Sequence, residues 1–202
     1  MRRFLLLFLV ALISMCACED KATEAPPSVS SHLFSFEEDM AGWQARGIDL
    51  QLGDSLVAWS IQRTQEMAKD GSTAVKLYLE NYNDAGKIWI ERPFELSADA
   101  SYRVKVAYAF CSADFGMANL WTIIAGVAPI QPETRDDLVY QGHTGNGSDT
   151  DIGFQWLEKN YTFDVTAGTE GQLYVFVGIW GTWETPRTYY LDSLCVSFTE
   201  KS

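Results

Sequence analysis

Histidine is scarce in this chain: His32 and His143 are the only two in 202 residues. A serine triad needs a histidine beside a serine and an acid, and His32 adjoins a polar, proline-bearing stretch. No CxxC pair accompanies the histidines, which argues against a zinc site. No glycine-rich phosphate loop, nucleotide motif or redox motif is present. Basic side chains are also few, 15 Lys+Arg against 27 Asp+Glu, for a net charge of −12. Such a balance repels phosphates, so it disfavours nucleic acid as a partner, and none is expected; it also disfavours adhesion to anionic lipid. The one long apolar run, Phe4 to Ile13, is too short for a spanning helix of ~20 residues.

The N-terminus has the order of an export leader. Arg2 and Arg3 precede the apolar run, and Ser14-Met15-Cys16-Ala17-Cys18 follows it. The segment resembles a bacterial lipoprotein signal, in which a cysteine after a small residue is lipidated and becomes the new N-terminus. Cys18 follows Ala17 and fits better than Cys16, which follows Met15. The resemblance implies residues 1–17 as leader, Cys18 as the lipidation site, and a domain anchored to the bacterial cell envelope without a spanning segment. Plain secretion with cleavage near Ala17 is the other reading. Cleavage there removes Arg2 and Arg3, leaving 13 basic against 27 acidic side chains, or −14. Residues 18–31, containing the polar, proline-bearing run EDKATEAPPSVSS, read as a flexible tether. Residues 32–202 are long enough for one domain with a sizeable core.

Cys111 and Cys195 are the cysteines beyond the leader. Export would permit them to pair. If Phe110, Leu194 and Val196 face inward, both sulfurs face outward, and a bridge needs neighbouring strands with Cα atoms within ~7 Å. They form a disulfide or pack as two small apolar side chains.

Little of the chain has helical periodicity. Alternating runs recur at Leu33–Phe36, Leu56–Ile61, Val75–Leu79, Lys87–Leu96, Tyr102–Phe110, Asn119–Val127, Phe154–Val165 and Leu173–Trp180. Pro93 marks an edge or a bulge. The pattern predicts an all-β, two-sheet antiparallel sandwich. The stretch 128–153 breaks the rhythm with four glycines and two prolines. Asn146, Asp149 and Asp151 there offer hard oxygen ligands to calcium but lack the ligand ladder of an EF-hand, and a solvated loop is the favoured reading.

The chain is organised around Tyr174–Phe198. Leu173, Val175, Val177 and Ile179 share one face of a strand, and Tyr174, Phe176, Gly178 and Trp180 share the other. The second face is either another buried layer or an exposed aromatic surface. In the last strand Asp192 is the polar member of a set with Tyr190, Leu194, Val196 and Phe198. A carboxylate there requires a partner, either a cation or a hydrogen-bonded loop.

Phe34-Ser35-Phe36-Glu37, Gly42-Trp43, Asp70-Gly71-Ser72 and Tyr190-Leu191-Asp192-Ser193-Leu194, in this order, resemble the galactose-binding-like jelly roll of many carbohydrate-binding modules. The resemblance implies a structural Ca2+ where the first strand, an early turn and the last strand meet, held by Glu37 and Asp192 with backbone oxygens near Asp70. It also implies a sugar site built on aromatics, whose flat rings cover the apolar face of a pyranose. The residues proposed for it are Asn119, Trp121, Trp156, Trp180, Trp183, Glu184 and Arg187, with Trp43 and Trp59 assigned to the core. The function expected is a lipid-anchored, noncatalytic carbohydrate-binding module. The alternative is an envelope protein that uses the same aromatic surface on another protein. An enzyme would need a carboxylate pair, with Glu91, Glu158 and Glu184 as candidates.

Overall fold

A computed structural model of the chain describes residues 28–113, 122–145, 153–181 and 186–201. The leader, Cys18 and the tether up to residue 27 lie outside these, as do Asn146, Asp149 and Asp151. Among the described residues thirteen strands follow one another: β1 (Val29–Phe34), β2 (Gln44–Ile48), β3 (Gln51–Leu52), β4 (Ser55–Leu56), β5 (Trp59–Thr64), β6 (Ala74–Glu80), β7 (Lys87–Glu95), β8 (Ser101–Ala113), β9 (Thr122–Ala128), β10 (Tyr140–His143), β11 (Phe154–Thr166), β12 (Gln172–Trp180) and β13 (Pro186–Glu200). Val29–Ser31, read from sequence as tether, already pair with Ser197–Thr199 of β13.

Two antiparallel sheets hold the larger strands, β11-β8-β13-β6-β5 and β10-β9-β12-β7-β2. The chain alternates between them from β6 to β9 and again from β11 to β13. The eight strands β6 to β13 give the orders β6-β13-β8-β11 and β7-β12-β9-β10, which is a jelly roll. Alternation supplies the core. Leu77, Leu79, Val104, Val106, Tyr108 and Phe110 of one sheet meet Ile88, Ile90, Ile123, Val175, Val177 and Ile179 of the other. Trp43 is buried edge-on to Phe34 at 5.4 Å, and Trp59 packs half-buried against the same core. Pro93 lies two residues past the last β2 pair, Gln44 with Glu91, where β7 is unpaired on that side.

The last strand departs from simple alternation. Asp192 pairs with Ala109 but Cys195 pairs with Ala107, so three steps on β13 span two on β8. This bulge passes through Ser193 at φ 51° and shifts the phase of the strand. Leu194, Val196 and Phe198 are core, whereas Tyr190 and Asp192 fall on the other face. Asp192 is therefore not an intruder in an apolar set. It faces the turn before β6, where its Oδ2 accepts the N–H groups of Lys69 at 2.8 Å and Asp70 at 3.0 Å.

Register also settles the cysteines, and both are free thiols. Cys111 lies opposite Tyr190, and Cys195 lies opposite Ala107, four residues down β8. At ~3.3 Å per residue the offset is about 13 Å, beyond the reach of a disulfide. Cys111 is buried under Met67, whose Sδ is 3.4 Å away, and this burial pushes the thiol up to about 11.

Candidate functional site: the cleft at Trp180

The second apolar face of β12 is a second buried layer. Phe176 packs there with Trp89 of β7, Ile124 of β9 and Leu138, and Ile48, Ala128 and Trp180 border the cluster. Leu138 belongs to the segment between β9 and β10, so part of the stretch read as an irregular loop covers this face. Two glycines create the space. A Cβ on Gly178 would sit 2.5 Å from Trp89 Cα and Cβ, and one on Gly126 would run into the Phe176 ring and come within 2.8 Å of Val139 Cγ2. Only a bare backbone lets the aromatic rings lie against the sheet.

A buried carboxylate closes one side of this layer. Glu91 is 1% exposed and has three donors around it. Its Oε2 accepts the Trp89 indole N–H at 2.9 Å, and its Oε1 accepts Arg46 Nε at 2.9 Å and Gln131 Nε2. Gln131 lies on the covering segment, so Glu91 ties that segment to the sheet.

At the other side the layer opens into a cleft of about 560 Å³, lined by Asp49, Leu50, Gln51, Asn83, Asp84, Ala85, Lys87, Arg135 and Trp180. Trp180 ends β12 opposite Lys87 of β7. Lys87 Nζ stands 5.0 Å from the Trp180 ring centre and pairs with Asp49 Oδ2 at 2.6 Å. The Tyr140 ring meets Trp180 at 5.5 Å, and its hydroxyl donates to the Arg135 carbonyl at 2.8 Å. Burial, then the negative charge of Asp49, pushes that hydroxyl above its ordinary range. Asn83 Nδ2 donates to the carbonyls of Asp49 at 2.6 Å and Gln51 at 2.9 Å, fixing the rim. The cleft thus combines an indole ring, one face of which carries the Lys87 ammonium, with carboxylate, amide and guanidinium groups. Such a combination suits a polar ligand with one flat apolar side.

Of the sequence-expected ligand residues, the three that are described, Trp156, Trp180 and Arg187, lie apart from one another. Trp180 lines the cleft. Trp156 pairs across β8 at Cys111 on the outer face of the other sheet, with Glu158 and Asn160 in phase beside Ala109 and Ala107. Both sheets stand between Trp156 and Trp180. Arg187 lies opposite Leu79 on the core side of β13, where burial holds its guanidinium below its ordinary value. Asn119, Trp121, Trp183 and Glu184 lie outside the described residues. Lys87, Asp49, Asn83, Arg135 and Tyr140 were not expected. Their only sequence signal is polar residues beside turns, which every sandwich has in many places. Glu91 and Glu158 fall on different sheets and form no carboxylate pair.

Glu37, Asp70 and Asp192, the residues expected to hold calcium, surround the turn before β6. Glu37 Oε1 accepts N–H groups from Ser72 at 2.9 Å and Thr73 at 3.0 Å, and its Oε2 accepts the Ser72 hydroxyl at 2.8 Å. The Ser72 N–H, the Ser72 hydroxyl and the Thr73 N–H, in that order, hold the Glu37 carboxyl below its ordinary range. Asp70 accepts the N–H of Gly71 at 3.0 Å. Among the described residues no group of three His, Cys, Asp or Glu is placed to hold a metal.

No family model matches the chain, and no curated protein matches it. Similar solved structures exist. The module TmCBM61, solved with beta-1,4-galactotriose, is 17% identical with a TM-score of 0.48 over 80% of this chain and 92% of its own. The CBM22-1 xylan-binding domain of Xyn10C from Paenibacillus barcinonensis is 14% identical with a TM-score of 0.44, over 88% and 98%. The K1 cleaved adhesin domain of Lys-gingipain from Porphyromonas gingivalis W83 is 14% identical with a TM-score of 0.47, over 86% and 99%. The likeness to all three is one of architecture.

Proposed function

We propose that this chain is a noncatalytic glycan-binding module, held at the bacterial cell envelope by a lipid on Cys18, with the cleft at Trp180 as its sugar site. One observation carries the reading: the indole of Trp180 lines a cleft whose other walls are the polar groups of Asp49, Gln51, Asn83, Asp84, Lys87 and Arg135. A jelly roll hosts unrelated roles, so the cleft and not the fold supports the assignment. The rival reading, docking of an envelope protein on the aromatic face of β12, is less favoured, because Phe176 on that face is buried with Trp89 beneath the covering segment.

The test is a glycan-array screen of residues 28–202, followed by calorimetry on any hit. Trp180→Ala is expected to weaken binding by roughly tenfold or more, the equivalent of ~1.4 kcal/mol. Trp156→Ala, on the opposite outer face, is expected to bind as the parent does. Absence of binding to every glycan, or binding that survives Trp180→Ala, would remove the cleft as the site.

A further inference from the structure

We propose that Arg63, and not a bound cation, locks the junction of the first strand, the turn before β6 and the last strand, so that the domain needs no calcium. The galactose-binding-like resemblance implies a calcium here, and the donor set of this chain does not fit one. A calcium ion takes six to eight oxygen ligands. The turn instead points N–H groups at both acids. Lys69 and Asp70 donate to Asp192 Oδ2 at 2.8 and 3.0 Å, and Ser193 donates to Oδ1 at 2.6 Å. Ser72 and Thr73 donate to Glu37 Oε1 at 2.9 and 3.0 Å. The positive ends of these peptide dipoles stand where a cation would have to approach. The carbonyl oxygens at the end of the first strand are engaged too. Arg63 Nε donates to Phe36 O at 2.6 Å, and Arg63 Nη2 donates to Glu37 O.

The arginine suits this place. Phe36 sits at φ 58°, a left-handed turn that a bulky side chain adopts only under constraint. It sets two successive carbonyls within reach of one guanidinium fork, whose donors are fixed in a plane. Arg63 is itself anchored on β5, opposite Val75 of β6, just past the turn that Glu37 holds. One permanent positive charge thus links the first strand to β5 and β6, where no chelator can remove it. The inference holds whether or not Trp180 binds a sugar.

The experiment is thermal unfolding of the full chain in millimolar calcium chloride and in EGTA, with calorimetric titration of calcium chloride alone. The transitions are expected to superimpose and the titration to show no saturable heat. Arg63→Met should lower Tm by roughly 5 °C in both buffers, and Arg63→Lys should recover only part, because an ammonium cannot bridge both carbonyls as a fork. A wild-type Tm that rises with calcium, saturable binding abolished by Glu37→Gln, or an Arg63→Met protein as stable as the parent would each overturn the proposal. If Arg63→Met does not fold, the wild-type titration decides alone.

Discussion

Replacing Glu91 tests whether the second layer is held by an acceptor that nothing else can supply. All three neighbours of this carboxylate, the Trp89 indole, the Arg46 guanidinium and the Gln131 amide, are donors. Glu91→Ala strands the buried indole N–H, which costs about 1–3 kcal/mol, and removes the Gln131 bond, worth about 1 kcal/mol. Arg46 contributes little to the loss, because its side chain is 42% exposed and water replaces the partner. The sum is about 2–4 kcal/mol, or a fall in Tm of ~4–16 °C for a domain of this size. Glu91→Gln is the sharper variant. A glutamine has one oxygen and one NH2, so it accepts on one side and confronts a donor on the other. Its oxygen can keep the indole N–H, so it should lose less than alanine does, about the 1 kcal/mol of the donor left facing its NH2. The assay is urea unfolding followed by tryptophan fluorescence, with hydrogen exchange over residues 131–139 reporting release of the covering segment. A Glu91→Gln protein as stable as the parent, with unchanged exchange there, would refute the reasoning.

Two further outcomes follow from the same geometry. Gly126→Ala is expected to destabilise the parent by roughly 1–3 kcal/mol, because its methyl meets the Phe176 ring. In a Phe176→Leu background the added cost should shrink, and additive costs in a denaturation double-mutant cycle would show that the ring is not the obstacle. On acidification, Glu37 is held low by the Ser72 backbone N–H first, Glu66 by its bond from Lys76 first, and Asp164 by its bond from Arg103 first. Each binds fewer protons folded than unfolded, so its contribution is complete above the ordinary carboxylate value of ~4 and is lost as pH falls through the lowered folded value. Tm measured across pH should hold near neutrality and fall below about pH 4, and Glu66→Gln should flatten part of that fall; stability that rises on acidification would contradict the assignment.

Most strands were legible because period-two alternation is local and needs no knowledge of partners. β2 was missed, since Gln44-Ala45-Arg46-Gly47-Ile48 offers little apolar contrast. β10 was missed inside a glycine-rich stretch. The candidate site was legible only at Trp180. Asp49, the turn that carries Asn83 and Lys87, and Arg135 reach the cleft from three separate parts of the chain, and no spacing rule connects them.

The sequence alone determined an all-β chain with a leader-like N-terminus, an acidic balance and one strand apolar on both faces, because composition and alternation act residue by residue. The tertiary structure decided what those faces meet. Pairing with β8 and the bulge at Ser193 turned Asp192 away from the core and set Cys111 and Cys195 out of register. The segment after β9 folded over Trp89 and Phe176 and left Trp180 lining a cleft. The physical reason is that register and coverage are set by contacts between residues far apart in the chain, which alternation within any one strand does not encode.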